Sequence, residues 1–141
     1  MKVIFLDIDG VLNNFGLISR YGFDYIDEGC VLLLAQVVKS TRAEIVLSSS
    51  WRREEYDLSL AKAALERADL EIKDCTPWLN GRARVYEIKQ WLEEHPGVTK
   101  FVILDDDEDA GFEVDGFFQT DPEVGFTSEI AENVVLYLGA N

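Results

Sequence analysis

The chain has 141 residues, 13 basic and 27 acidic, which give a formal net charge of −14. This length fits one domain with its own hydrophobic core. The composition, with 48% hydrophobic residues, 2 cysteines and 10 glycines, excludes a disulfide scaffold, a collagen-like chain and a disordered tail. The acidic balance also disfavours a protein that binds duplex nucleic acid along its length, because phosphate contacts need clustered lysine and arginine. An acidic chain can still contain one basic pocket.

The cysteines and apolar runs predict a cytoplasmic protein that does not bind a membrane. Cys30 and Cys75 lack the spacing of a metal motif, which favours two small residues packed in the interior. The apolar run near the start of the chain stops at Asp7 and is shorter than the apolar core of a secretion signal. No stretch reaches the roughly 18 apolar residues that a membrane span needs.

Short β-rich runs alternate with longer segments of helical periodicity. The predicted strands are residues 3–6, 44–47, 101–104 and, more weakly, 117–120. The predicted helices are residues 29–39, 54–68, 83–94 and 128–138. This alternation predicts a Rossmann-like three-layer α/β/α sandwich with a mostly parallel sheet. Residues 13–27 and 69–81 show no clear period, and no linker or repeat divides the chain, so we expect a single domain over residues 1–141.

Polar clusters follow three of the predicted strands. The clusters are residues 7–10 (DIDG), 48–52 (SSSWR) and 105–107 (DDD). Ligands of open α/β sheets bind at the carboxyl ends of the strands. Because the carboxyl ends of parallel strands meet at one edge of a sheet, we expect the three clusters to converge there.

The carboxylates indicate a hard cation and phosphate chemistry. If the chain stays extended beyond the first strand, Asp7 and Asp9 face the same way, about 6.6 Å apart along the strand. Crowding with Asp105 and Asp106 makes these acids repel one another, and an oxygen-rich site of this kind suits Mg²⁺. A metal-bound carboxylate can attack phosphorus, and a second carboxylate can transfer the proton.

Hydroxyl and backbone N–H groups of Ser48 and Ser49 can bind phosphate oxygens, and a cation would complete the site. Simpler interpretations also exist for these residues. Asp7 and Asp9 can serve as turn-capping groups, and the serines can cap the helix that follows them. Residues 105–109 can be a solvated acidic loop.

The motifs resemble those of the haloacid dehalogenase (HAD) superfamily of phosphohydrolases. The segments that resemble its first, second and fourth motifs are residues 5–12 (FLDIDGVL), 46–48 (VLS) and 103–106 (ILDD). With residues 46–52 (VLSSSWR) and 81–84 (GRAR), the chain is similar to small phosphatase domains that include those of RNA-repair proteins. The gaps between motifs are too short for a large cap domain, so the resemblance implies the capless type, with a short aromatic flap at about residues 12–27.

The resemblance implies a role for each matching acid and for the serine. Asp7 would be the nucleophile that forms an aspartyl-phosphate and also binds Mg²⁺. Asp9 would be the general acid and base, with its backbone carbonyl on the metal. Ser48 would bind phosphate, and Asp105 and Asp106 would hold the metal.

The basic residue of the third motif has three candidates, namely Arg82, Arg84 and Lys89. A helix that begins near Ala83 places Arg84 in the first turn, close to an anion at the strand ends. Lys89 lies about 7.5 Å further along the helix axis. We therefore expect Arg84 to bind phosphate, with Arg82 as the alternative. Arg52 is expected to add a second phosphate contact, or else to be a surface charge on a helix.

These features predict an Mg²⁺-dependent phosphohydrolase that cleaves a phosphomonoester through an aspartyl-phosphate. Its substrate would be a phosphorylated small molecule or the end of a polynucleotide, since an open site suits a larger or polymeric phosphoester, or a small substrate that is bound loosely. The net charge of −14 disfavours extended nucleic-acid contacts. Two alternatives remain, namely a phospho-acceptor domain of the receiver type and a catalytically silent binding module with the HAD fold.

Overall fold

The computed structural model describes residues 1–140, in which strands and helices alternate. The strands are β1 (Lys2–Leu6), β2 (Glu44–Leu47), β3 (Ile72–Cys75), β4 (Lys100–Asp105) and β5 (Phe117–Gln119). The α-helices are α1 (Phe15–Tyr21), α2 (Glu28–Thr41), α3 (Glu55–Glu66), α4 (Arg84–Glu94) and α5 (Ser128–Leu138). Two short 3₁₀ helices, Ser50–Arg53 and Glu108–Ala110, follow β2 and β4.

The five strands form one parallel sheet in the order β3-β2-β1-β4-β5. The central strand is β1, whose Ile4 pairs with Ile45 of β2 and with Val102 of β4. The chain builds the sheet outward from β1 to β3 and then returns to the other side of β1 for β4. The carboxyl ends of β1 and β4 therefore flank the point at which the strand order reverses, where open α/β sheets bind ligands.

Helices cover both faces of the sheet. Because side chains alternate along a strand, Ile4 and Leu6 of β1 enter the larger core, which they share with α2, α3 and α5. Val3 and Phe5 enter the smaller core on the side of α4. There Phe5 packs edge-on against Trp91, with the ring centroids 5.4 Å apart. The predicted Rossmann-like three-layer sandwich is confirmed.

Two elements lie in segments that have no clear sequence period. Helix α1 has only seven residues and none of them is buried, with Leu17 and Ile18 half-buried, so it is too short to show a helical period. Strand β3 exposes Lys73 and Asp74 and gains its β structure by pairing with β2 at the edge of the sheet.

The predicted flap consists of the short helix α1 followed by a turn that leaves Phe23 87% exposed. Residues 1–140 contain no cap domain.

The remaining helices begin and end close to their predicted positions, and side-chain caps mark the starts of α2 and α5. The Asp27 side chain accepts a hydrogen bond from the amide of Cys30 at the start of α2. Gly139 ends α5 with a φ of 87°, a conformation that glycine adopts readily.

Cys30 is buried and Cys75 half-buried, and both are free thiols. None of the helices in residues 1–140 has the length and apolar character that crossing a membrane requires.

The packing of α2 can be tested with two leucines of that helix. Leu34 is completely buried in the larger core, so Leu34→Ala should lower the free energy of unfolding by about 2–5 kcal/mol. Leu32 is 51% exposed, so Leu32→Ala should change it by about 0.5 kcal/mol or less. Urea unfolding followed by circular dichroism measures both values. Equal losses for the two variants would contradict this orientation of α2.

Candidate active site

Three carboxylates meet at the carboxyl ends of β1 and β4. Asp7 directly follows β1, Asp105 is the last residue of β4, and Asp106 comes next. One carboxylate oxygen from each lies within 4.8 Å of the others. The amide of Asp7 donates to the carbonyl of Leu104 at 3.0 Å, so the pairing of the two strands holds their acidic ends side by side. The structure therefore brings these three acids together, as the sequence predicts.

Arg84, the first residue of α4, reaches this cluster of acids. Its Nη1 lies 2.6 Å from Oδ2 of Asp105 and 3.3 Å from Oδ2 of Asp7. The guanidinium thus bridges two carboxylates that belong to different strand ends. This is the position that the sequence predicts for the basic residue of the third motif.

The other two basic candidates contact an aromatic ring instead. The guanidinium carbon of Arg82 lies 4.4 Å from the ring centroid of Tyr86, and Nζ of Lys89 lies 5.6 Å from it. A similar pair is formed by Arg53 and Trp78, at 4.0 Å. Both rings are 44% exposed. The chain therefore presents two half-exposed rings with cations above them in the segments before and within α4.

Burial controls the electrostatics of the acid cluster. Burial raises the pKa of the Asp7 carboxyl well above its usual range, the charge of Asp105 raises it further, and Arg84 lowers it. Burial also raises the pKa of Asp105, against the effect of Arg84. For Arg84 itself, burial lowers the pKa but the two acids raise it by more, so the guanidinium stays charged.

The donor set fits a hard divalent cation. Asp7 and Asp105 are buried and Asp106 is half-buried, and all three offer oxygen ligands. Carboxylate oxygens without thiolate or imidazole partners suit Mg²⁺ rather than a soft metal. Arg84 supplies one positive charge against three crowded acids, so a divalent cation would offset their repulsion. The same three acids are the residues that would hold it.

Gly10 allows the loop after β1 to approach Asp106. Gly10 has a φ of 80°, and a Cβ atom there would lie 2.5 Å from Oδ2 of Asp106. Its amide donates to Oδ1 of Asn13 at 2.8 Å, and its carbonyl accepts from the hydroxyl of Thr120 at 2.7 Å. Only a residue without a side chain fits between these fixed groups and the carboxylate.

Asp9 has different partners from Asp7. Strand β1 ends at Leu6, so strand alternation does not extend through Asp9. Its Oδ1 accepts from Nδ2 of Asn13 at 3.0 Å, and its Oδ2 accepts from Nε1 of Trp51 at 3.1 Å. Within residues 1–140, the acid cluster does not include this carboxylate. The metal contact expected for the Asp9 backbone carbonyl stays a prediction.

Ser48 and Ser49, the first two of the three serines after β2, have different roles in the fold. The amide of Ser48 donates to the carbonyl of Leu6 at 2.8 Å, which places Ser48 beside the end of β1. Its buried hydroxyl has no hydrogen-bond partner in the described part of the chain. Since buried hydroxyls are normally satisfied, this oxygen is suited to a ligand. Ser49 instead caps the helix Ser50–Arg53, because its Oγ accepts from the amide of Trp51 at 3.2 Å.

Arg52 is buried against α4. Its Nη2 lies 2.7 Å from Oε1 of Glu87, and both side chains are 4% exposed. The guanidinium also donates to the carbonyls of Ser49, Thr76 and Pro77. The alternative of a surface charge is therefore wrong, because the side chain is enclosed by two loops and a helix. Direct contact with phosphate stays a prediction for Arg52.

Three residues of the site have contacts that the sequence does not predict. Trp51 has a signal in the sequence, since it is the aromatic residue within the polar cluster SSSWR (residues 48–52) that follows a predicted strand. Glu87 has a weaker one, because it lies three residues after Arg84 on the same helix face. Asn13 has none, since its contacts to Asp9 and Gly10 depend on how the loop folds.

The family comparison agrees with this arrangement. The family described as the HAD domain in Swiss Army Knife RNA repair proteins matches residues 3–131. The chain belongs to this family. At the level of the superfamily, the HAD domain is a phosphohydrolase-type protein, which does not support the receiver-type alternative. No curated protein and no solved structure matches the chain.

The close approach of Gly10 can be tested against a second glycine of the HAD domain. Gly10 and Gly22 both have positive φ, at 80° and 107°, so alanine is strained at either position. A Cβ at Gly22 meets nothing within 4 Å, whereas one at Gly10 collides with Asp106. Gly10→Ala should weaken Mg²⁺ binding by about tenfold or more, and Gly22→Ala should leave it unchanged. Isothermal titration with MgCl₂ measures both, and equal affinities would refute the predicted collision.

Proposed function

We propose that the HAD domain is an Mg²⁺-dependent phosphatase that cleaves a phosphomonoester through an aspartyl-phosphate on Asp7. The observation that carries this proposal is the meeting of Asp7, Asp105 and Asp106 within 4.8 Å, with Arg84 bridging the first two. Phosphohydrolase chemistry of the superfamily supports it. A bound Mg²⁺ would supply positive charge for the phosphate oxygens, so that an anionic carboxylate can approach phosphorus.

Asp7 is the nucleophile of the first step. One of its carboxylate oxygens forms a bond to phosphorus while the bond from phosphorus to the leaving oxygen breaks. Asp9 gives its proton to the leaving oxygen, so the alcohol departs as a neutral molecule. Asp9 suits this role because its carboxylate is held by Asn13 and Trp51, outside the acid cluster.

Water completes the reaction in the second step. Asp9, now ionised, accepts a proton from water as the water oxygen bonds to phosphorus. The bond between phosphorus and Asp7 breaks, which releases inorganic phosphate and restores the carboxylate. Throughout, the hydroxyl of Ser48 and the guanidinium of Arg84 would donate to the phosphate oxygens, since the Ser48 hydroxyl has no partner in residues 1–140.

A catalytically silent binding module would not need the whole set of reacting groups. In this chain the proposed nucleophile, proton donor, phosphate-binding hydroxyl and bridging guanidinium are all present. They are Asp7, Asp9, Ser48 and Arg84. This combination favours the enzyme over the silent module.

We also propose that the substrate is the phosphorylated end of a polynucleotide. The family name refers to RNA-repair proteins. The half-exposed rings of Trp78 and Tyr86, with Arg53 and Arg82 above them, are groups on which unpaired bases stack. Contact with a strand end alone is compatible with the net charge of −14.

The nucleophile is tested by Asp7→Asn. This change keeps the shape of the side chain but removes the attacking charge, so hydrolysis of p-nitrophenyl phosphate in MgCl₂ should fall by about 1,000-fold or more. The exposed Asp115 offers a matched control, because Asp115→Asn removes one carboxylate outside the site. Chelation of Mg²⁺ should abolish wild-type activity. Wild-type rates in Asp7→Asn would rule out the mechanism.

The substrate class is tested with 5′- and 3′-phosphorylated single-stranded oligonucleotides. Trp78→Ala should raise the KM for the preferred oligonucleotide by about tenfold, since base stacking contributes about 1–3 kcal/mol per base. Tyr56, which is 64% exposed on α3, provides the control, and Tyr56→Ala should leave this KM unchanged. A substrate preference for phosphorylated metabolites, with no effect of Trp78→Ala, would contradict the polynucleotide proposal.

A further inference from the structure

The carboxylate of Asp9 is held at both of its oxygens. Nε1 of Trp51 donates to Oδ2 at 3.1 Å, and Nδ2 of Asn13 donates to Oδ1 at 3.0 Å. The two donors come from different parts of the fold, namely the 3₁₀ helix after β2 and the loop after β1. Trp51 has no part in the proposed binding of metal or phosphate, so this contact is its connection to the chemistry.

Both donors are themselves fixed by their surroundings. Trp51 is buried in the larger core, and its amide donates to Oγ of Ser49 at 3.2 Å. Asn13 is completely buried, and its side chain also bonds to the amide of Gly10 and the carbonyl of Tyr25. A buried N–H group that loses its acceptor costs about 1–3 kcal/mol, so neither donor leaves the carboxylate readily. Asp9 is therefore restrained to one orientation.

We propose that Trp51 is a positioning residue that orients Asp9 for proton transfer to the leaving oxygen. This inference rests on the proposed phosphatase function and extends it to a residue outside the metal and phosphate contacts. The proton moves from the Asp9 carboxyl to the leaving oxygen as the phosphorus–oxygen bond breaks, and the indole keeps its own proton. Each carboxyl oxygen retains a second lone pair for that proton while it accepts a bond from Trp51 or Asn13.

The chain contains a matched control for this contact. Nε1 of Trp91 donates to Oδ2 of Asp74 at 2.8 Å, and Trp91 is buried in the smaller core. Asp74 lies on the edge strand β3 and is not part of the acid cluster. Trp51→Phe and Trp91→Phe thus each remove one bond from an indole to a carboxylate and keep an aromatic ring in the core.

A comparison of substrates with different leaving groups distinguishes an orienting role of Trp51 from a purely structural one. Departure of p-nitrophenolate needs little help from a proton, whereas departure of an alkyl alcohol needs its full transfer. The test compares kcat/KM, which covers the steps up to departure of the leaving group, for p-nitrophenyl phosphate and for an alkyl phosphate. In Trp51→Phe the value for the alkyl phosphate should fall by about 100-fold and that for the aryl phosphate by about threefold. Trp91→Phe should leave their ratio unchanged.

The outcomes distinguish this inference from the proposed function. If Trp51→Phe lowers both values equally while Asp7→Asn abolishes both, the phosphatase mechanism stands and the positioning role is refuted. If Asp7→Asn retains activity, the mechanism itself fails. Should Trp51→Phe not fold, as judged by circular dichroism, 3-benzothienylalanine at position 51 keeps the ring shape and replaces the N–H with sulfur. The same change in ratio is then expected.

A second measurement detects the hydrogen bond between Trp51 and Asp9 in the absence of substrate. In ¹H–¹⁵N spectra of the intact protein, Asp9→Ala removes the acceptor of the Trp51 indole and should shift its N–H proton upfield. The Trp91 indole, whose acceptor is Asp74, should keep its position. An unshifted Trp51 resonance in Asp9→Ala would show that the indole does not bond to Asp9 in solution, and the inference would fail.

Discussion

The site depends on the crowding of Asp7 and Asp105 at the carboxyl ends of two paired strands. The pairing of β1 with β4 holds these acids together, and the backbone bond from Asp7 to Leu104 continues it beyond the last residue of β1. Repulsion and burial both disfavour their charged forms, as the raised pKa values of both carboxyls indicate. Arg84 offsets part of this cost. The folded sheet therefore maintains a cluster that attracts cations and that the isolated segments could not hold together.

The packing of α4 supports this arrangement from behind. Glu87, on the same face of the helix as Arg84, accepts from the Arg52 guanidinium and from the amide of Leu79. A buried ion pair of this kind is costly to break, since either partner alone would be an unpaired charge in the interior. The loop after β2, the segment before α4 and the helix that presents Arg84 are consequently connected. This connection supports the position of Arg84 relative to the acids, whereas Ser48 is placed by its backbone bond to Leu6.

The two aspartates of the first motif differ because their surroundings differ. Asp7 is buried among like charges and a bridging cation, which suits a group that binds a metal and attacks phosphorus. Asp9, two residues later, accepts hydrogen bonds from two neutral groups, the Asn13 amide and the Trp51 indole. In the proposed mechanism these two carboxylates, close in sequence, would therefore perform different chemistry, one as nucleophile and the other as proton carrier. The division follows from where β1 ends and from the loop that Gly10 permits.

Local patterns in the sequence were sufficient to predict the layered parallel fold and the strand ends that carry the acids. The motifs at those strand ends were sufficient to indicate the family. Apolar periodicity and capping residues depend only on residues that are close along the chain, so they can be recognised in the sequence. Helix α5 is an example, since its observed bounds Ser128–Leu138 equal the predicted ones. The tertiary structure alone decided the features that depend on distant partners. Strand β3 exists because β2 pairs with it, Ser48 differs from Ser49 because of the end of β1, and Asp9 meets Trp51 across 42 positions. Such contacts have no period in the sequence, since they arise from how the elements pack.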